Sequence, residues 1–73
     1  LYIENVFIGS DLTQVNYWSN ATKTLKLFTK TITYTGGNPT SIVLKDELTG
    51  RQLTTTITYS GNEVASIFKE RSV

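Results

Sequence analysis

The 73-residue chain contains no cysteine, no histidine and no methionine. Without cysteine there is neither a disulfide nor a thiolate metal site, and the redox compartment leaves no trace in the sequence. Without histidine, the commonest general base and the commonest transition-metal ligand are both missing. No apolar run approaches the roughly 20 residues needed to cross a bilayer as a helix. The opening stretch, Leu1 to Ser10, lacks the basic start and long apolar middle of a signal peptide. A chain that opens on Leu1 and holds no methionine predicts further sequence upstream.

An excess of one charge is lacking too. The 7 basic and 6 acidic residues leave a formal net charge of +1, without the concentrated positive field that phosphate binding needs. Lys23, Lys26 and Lys30 form the one basic cluster. On a strand all but Lys23 share a face and read as solvated edge lysines that discourage wrong pairing. Neither nucleic acid nor a membrane is expected as a partner.

What is present is β-structure. Threonine is abundant beside Ile, Val, Tyr and Phe, side chains that suit a pleated, half-buried surface. One weakly helical stretch runs from Ser10 to Leu25, with Ser10 as a candidate cap and Asp11 favourably placed behind it. The β-branched and Asn residues that follow argue against a long helix.

The chain also repeats itself. TKTITYTGGNPTSI begins at Thr29, and TTTITYSGNEVASI begins at Thr54. Each unit reads as strand, glycine-containing turn, strand, which is a β-hairpin. Along Leu53, Thr55, Ile57 and Tyr59 the side chains alternate with Thr54, Thr56, Thr58 and Ser60, the period-2 signature of one buried and one wet face. Two hairpins side by side make an antiparallel meander, with strands expected near 25–35, 40–46, 51–60 and 64–70.

A four-residue loop, Glu47 to Gly50, sets Asp46 opposite Arg51 and Leu44 opposite Leu53, with Gly50 at positive φ. A five-residue loop, Gly36 to Thr40, sets Tyr34 opposite Ile42, Ile32 opposite Leu44 and Lys30 opposite Asp46. Both registers put Ile32, Ile57 and Tyr59 on one face. The fold class is therefore all-β, one domain over 1–73. Residues 1–22 are expected as a strand or arm and 23–73 as the two-hairpin meander, a small sandwich or sheet completed by oligomerisation.

Before the repeat the pattern breaks. Leu25 and Leu27 fall on the opposite face from Phe28, Ile32 and Tyr34, so either a bulge sits near Phe28 and Thr29 or the strand buries different faces along its length. The second option needs another layer, which Leu1 to Ile8 can supply as a strand. Tyr17 and Trp18 are large anchors for a small core or an interface.

No active site emerges. The adjacent carboxylates Asp46 and Glu47 belong to a turn, whereas a glycosidase needs its pair across a cleft. Ser10 beside Asp11 has no base to complete a nucleophile. Gly36-Gly37 leads through Asn38-Pro39 into a strand, not into the helix a phosphate loop needs. Calcium-loop spacing is absent from the sequence. Asn20-Ala21-Thr22 fits the N-glycosylation pattern, which matters only in a eukaryotic secretory setting. No catalytic, cofactor-binding or metal-binding residue is assigned, no cofactor is expected, and the reading is non-enzymatic.

From Val15 onward, through VNYWSNATKTLKLFTKTITYTGGNPTSIVLKD and LTTTITYSGNEVASI, the chain resembles small β-hairpin virion proteins of tailed bacteriophages. In those, KTITYTG-like strands followed by SIVLKD-like strands recur in short virion proteins and in fibre or baseplate segments. It is more distantly similar to the tyrosine-containing repeats of secreted bacterial toxin shells. Thr35 and Ser60 stand where those repeats carry Asp after Tyr. The first resemblance implies a structural role in the virion, assembled in the host bacterial cytoplasm and associated with tail, neck or fibre. It implies other copies of the chain and other virion proteins as partners. A homo-oligomeric ring or fibre element is expected, docked on another virion protein through the N-terminal third and its Tyr17-Trp18 pair. The competing class is an extracellular carbohydrate- or surface-binding β module, for which Tyr17 and Trp18 would start an aromatic patch.

Overall fold

In the computed structural model, which describes residues 1–72, the chain is a meander of six antiparallel strands in one sheet. The strands are β1 (Tyr2–Ile8), β2 (Asp11–Trp18), β3 (Lys26–Thr35), β4 (Asn38–Asp46), β5 (Gln52–Ser60) and β6 (Glu63–Arg71), lying in the sheet in chain order. There is no helix among the described residues. The weakly helical stretch runs instead as β2, where Val15 and Tyr17 alternate with Gln14 and Asn16 at the strand period. The single strand or arm expected over residues 1–22 is a hairpin of two strands, β1 and β2.

That hairpin is a third copy of the repeat. Each of the hairpins β1–β2, β3–β4 and β5–β6 closes on a two-residue turn that begins with glycine at positive φ: Gly9 at 62°, Gly36 at 59° and Gly61 at 64°. A side chain in that conformation is strained, whereas its twist matches the flanking strands. Two pairs beyond each turn the register slips by one residue. Thr13, Thr40 and Ala65 are the extra residues, at equivalent places on β2, β4 and β6. The bulge reverses the alternation of the returning strand. It lets Pro39 share the face of Tyr34 while Ile42 shares the face of Ile32, although Pro39 and Ile42 are of opposite sequence parity.

This bulged turn corrects the expected register of the β3–β4 hairpin. Lys30 lies opposite Leu44, not Asp46; Ile32 lies opposite Ile42, not Leu44; and Tyr34 lies opposite Pro39, not Ile42. Gly36 and Gly37 both take positive φ, so the chain reverses in two residues instead of five. The net slip is two residues, which preserves face membership. Ile32, Ile42, Leu44, Leu53 and Ile57 therefore do share one face, with Leu44 beside Leu53 as expected. At the other loop Asp46 N–H donates to the Arg51 carbonyl at 2.8 Å, and Gly50, φ 79°, donates to the Asp46 carbonyl at 2.8 Å. The misfit around Leu27 resolves as a bulge: Tyr17 pairs with Phe28 and Trp18 with Lys26, leaving Leu27 over. No second layer stands behind it among the described residues.

The junctions between hairpins repeat as well. Tyr17 opposite Phe28 in β2–β3 corresponds, repeat for repeat, to Leu44 opposite Leu53 in β4–β5, and Gln14 opposite Thr31 corresponds to Ser41 opposite Thr56. Past those last pairs the ladder stops and a tyrosine takes over. Tyr34 Oη donates to the Leu12 carbonyl at 2.9 Å, and Tyr59 Oη donates to the Pro39 carbonyl at 2.6 Å. The hydroxyl satisfies a backbone acceptor that lies beyond the last pair of the ladder to the next hairpin.

Tyr59→Phe should lower stability by about 1 kcal/mol, since it removes one such bond. Ile57→Asp should cost at least about 2 kcal/mol, by placing a charge among apolar neighbours. Thr56→Asp, at an exposed position on the other face, should stay within about 0.5 kcal/mol. Urea unfolding of the three variants checks the order; an equal loss at positions 56 and 57 would contradict the assigned faces.

Candidate functional site

Strand pairing sorts the side chains into two faces of different chemistry. The first carries Ile3, Phe7, Val15, Tyr17, Phe28, Ile32, Ile42, Leu44, Leu53, Ile57 and Ile67, with Tyr34 and Tyr59 at the turn end. The opposite face carries a central field of Thr31, Thr33, Ser41, Thr54, Thr56, Thr58 and Ser66, with Val43 among them and Tyr2, Val6, Ile8 and Phe68 on its edge strands, and Thr58 and Ser66 hydrogen-bond through their hydroxyls. A two-faced sheet of this kind usually lays its apolar side on a core. Here only Val15, 5% exposed, and Asn16, 6% exposed, are buried among the described residues.

Two hollows on the apolar face meet at Phe28 and Leu44. A shallow hollow of about 410 Å³ is bordered there by Phe28, Leu44, Leu53, Asp46, Arg51 and Arg71, among others. A second of about 330 Å³ adjoins it, lined by Leu1, Tyr17, Phe28, Lys30 and Leu44. Tyr17 meets Phe28 edge to face, with ring centroids 6.4 Å apart at 85°. Lys30 Nζ stands 6.0 Å from the Tyr17 ring centroid, so the lysine expected beside Asp46 lies over an aromatic ring instead. Both hollows are open to solvent, and at the first the Ser72 hydroxyl is engaged with the Gln52 backbone N–H and carbonyl.

Tyr17 and Trp18 do not make one patch. As neighbours on a strand they point to opposite faces. Trp18 belongs to the polar side, where Lys26 Nζ stands 5.0 Å from its ring centroid and its indole N–H is shielded from water without a hydrogen bond. Around it lies the main polar network of the N-terminal half. Glu4 pairs with Lys23 and accepts from Asn16 Nδ2 at 3.2 Å, and Asn16 in turn accepts from Gln14 Nε2 at 2.8 Å. The bond from Lys23, then that from Asn16, hold the Glu4 carboxyl below its ordinary range. The same pairing raises Lys23. Lys23 takes φ 58° in the β2–β3 connection, which aims its side chain back across β1. Sequence spacing gave no signal of this pair, because Glu4 and Lys23 meet only once β1 and β2 have paired.

The other residues considered from sequence fall in turns. The Asp46 carboxylate accepts from the backbone N–H of Leu48 at 2.9 Å and of Thr49 at 3.3 Å. The Leu48 bond is the leading cause of its lowered pKa. Glu47 accepts from the Thr29 hydroxyl at 2.7 Å and lies 3.8 Å from Lys45. Asp11 opens β2 beside Ser10, and Gly36-Gly37 is the hairpin turn already described. Asn20 sits at an exposed tip, where its side-chain carbonyl accepts from the Thr22 N–H at 3.2 Å and the Thr22 hydroxyl at 2.5 Å. Among the described residues no three or more acidic side chains gather as a metal site, and no helix is long and apolar enough to cross a membrane.

Comparison with protein-family models, with curated proteins and with solved structures finds no match. The functional reading therefore rests on the faces and edges of the sheet.

Stability should follow the titration of these groups. Glu4 and Asp46 have lowered pKa values, so their contributions are complete above the ordinary values of 4.5 and 3.8 and are lost as pH falls through the folded-state values. Lys23 is raised, so its contribution is complete below 10.5 and is lost as pH rises through its folded-state value. Urea midpoints should thus form a plateau between those limits and decline on both sides. Glu4→Gln should shrink the acid decline and abolish most of the alkaline one; an unchanged alkaline limb would refute the Lys23 assignment.

Proposed function

We propose that this chain is a non-enzymatic assembly subunit, a structural protein of a tailed bacteriophage virion associated with tail, neck or fibre. The observation that carries the reading is the uncovered apolar face of a single-layer sheet. Phe28, Leu44, Leu53 and Tyr17 offer an apolar surface rimmed by Lys30, Asp46, Arg51 and Arg71, while only Val15 and Asn16 are buried among the described residues. A domain of this size already gains little net free energy from folding, and one layer without a second gains less. Association with neighbouring copies or with another protein removes that deficit. Both hollows are shallow and open, unlike the enclosed cleft that buries most of a small molecule, which favours a macromolecular surface over a soluble ligand. The virion assignment comes from the Thr-rich hairpin strands and their likeness to phage proteins, and the open face is the surface such a role would use.

Sedimentation and thermal unfolding over a concentration series test the assembly part. Oligomers should form and the melting temperature should rise with concentration. A cooperatively folded monomer whose melting temperature ignores concentration would overturn it. Co-purification of the chain with phage particles, checked by mass spectrometry, tests the virion part separately.

A further inference from the structure

The repeat has a consequence at the two ends of the sheet. Both internal junctions share one register over four pairs, from Gln14–Thr31 to Tyr17–Phe28 and from Ser41–Thr56 to Leu44–Leu53, and they part only at the next pair, where Leu27 is bulged. The three hairpins are internally alike too: Tyr2 opposite Trp18, Thr29 opposite Lys45 and Thr54 opposite Glu70 are the same pair in successive copies. Every hairpin therefore presents the same two edges, and a trailing edge is built to receive a leading edge. The trailing edge of the last hairpin is β6, and the leading edge of the first is β1.

We propose that β6 of one copy pairs antiparallel with β1 of the next, in the register of the internal junctions. The reading rests on assembly as proposed above and adds the edges and the alignment. Carrying the register over sets Ser66 opposite Glu4 of the next copy, Ile67 opposite Ile3, Phe68 opposite Tyr2 and Lys69 opposite Leu1. The match is chemical as well as geometric. Ile67 and Ile3, 60% and 52% exposed, are on the apolar face, while Phe68 and Tyr2, 61% and 38% exposed, are together on the other.

In β6 the guards against pairing are confined to the ends, with Glu63 at one and Lys69, Glu70 and Arg71 at the other. β1 has no lysine or proline, and its single charge, Glu4, is bound to Lys23 and Asn16. In β6 the stretch Val64 to Phe68 is uncharged. Joining unlike edges is a heterologous contact, which propagates into a ring or a filament.

One internal contact is missing at this junction. Phe7 occupies the place of Tyr34 and Tyr59, and Val64 occupies that of Leu12 and Pro39, whose carbonyls accept the tyrosine bonds. The contact between copies is therefore weaker than the internal junctions. A hydroxyl restored at position 7 has no carbonyl to reach within its own copy.

Cysteine exchange tests the edges in the 73-residue chain. Ile3→Cys and Ile67→Cys variants, oxidised separately, should remain unlinked on non-reducing gels; mixed in equal amounts, they should give a disulfide-linked dimer. Asn5→Cys mixed with Ile67→Cys, displaced by two residues, should link far less. No dimer in the first mixture, equal linking in the displaced one, or linking of either variant alone would overturn the proposal. Phe7→Tyr gives a second readout: it should tighten self-association roughly fivefold, as one added hydrogen bond would. It should leave the unfolding of dilute monomer unchanged. An unchanged association constant would count against the register. Oligomers that form without the predicted cross-link would overturn this pairing and leave the assembly reading standing, whereas a monomer at every concentration would overturn both.

Discussion

A single layer of β-sheet can shelter an apolar side chain only against its neighbours on the same face. Everything else in this protein depends on keeping those neighbours in step. If one strand slipped by a residue, its apolar side chains would move to the threonine face and the row from Phe28 to Ile57 would be broken. The bulges at Thr13, Thr40 and Ala65 show how the step is kept. Each lies just past a glycine turn and restores the alternation that a two-residue reversal alone would leave out of phase with the returning strand.

The tyrosine bonds belong to the same device. The ladder to the next hairpin ends before Leu12 and Pro39, and a carbonyl beyond its end has to find a donor or water. Tyr34 and Tyr59 supply the donor from the neighbouring hairpin while their rings lie on the apolar face. Each tyrosine thus closes the backbone accounts of the hairpin before it and covers part of its surface. Stability passes from hairpin to hairpin by nearest-neighbour contact, as in repeat architectures, and runs out at the first and last strands. The exposure of Ile3, Phe7, Ile67 and Phe68 is the visible result.

Much of this was legible in the chain. The alternation from Leu53 to Ser60 gave strand and face correctly, and Leu44 and Leu53 met as their spacing implied. The third hairpin was not legible, because IGSDLTQV shares with TGGNPTSI only the glycine, the threonine at Thr13 and Thr40, and an apolar residue where Val15 matches Ile42. A five-residue loop from Gly36 to Thr40 would align Lys30 with Asp46 and Ile32 with Leu44, and the opposite charges would add a little to that register. The turn chemistry of Gly36-Gly37 outweighed that attraction, which is small for solvated charges. Tyr17 and Trp18 looked like one aromatic patch in the text of the sequence, and the pleat of β2 put them on opposite sides.

The sequence by itself determined that the chain is all-β, that its apolar and threonine positions alternate, and that glycines mark the reversals. These are local properties: side-chain shape, strand periodicity and the φ a turn demands act over a few residues. The tertiary structure alone decided the bulges, the pairing of Glu4 with Lys23, the tyrosine bonds between hairpins and the open face. Each of those depends on which strand lies beside which, and a sheet has no register until its strands have met.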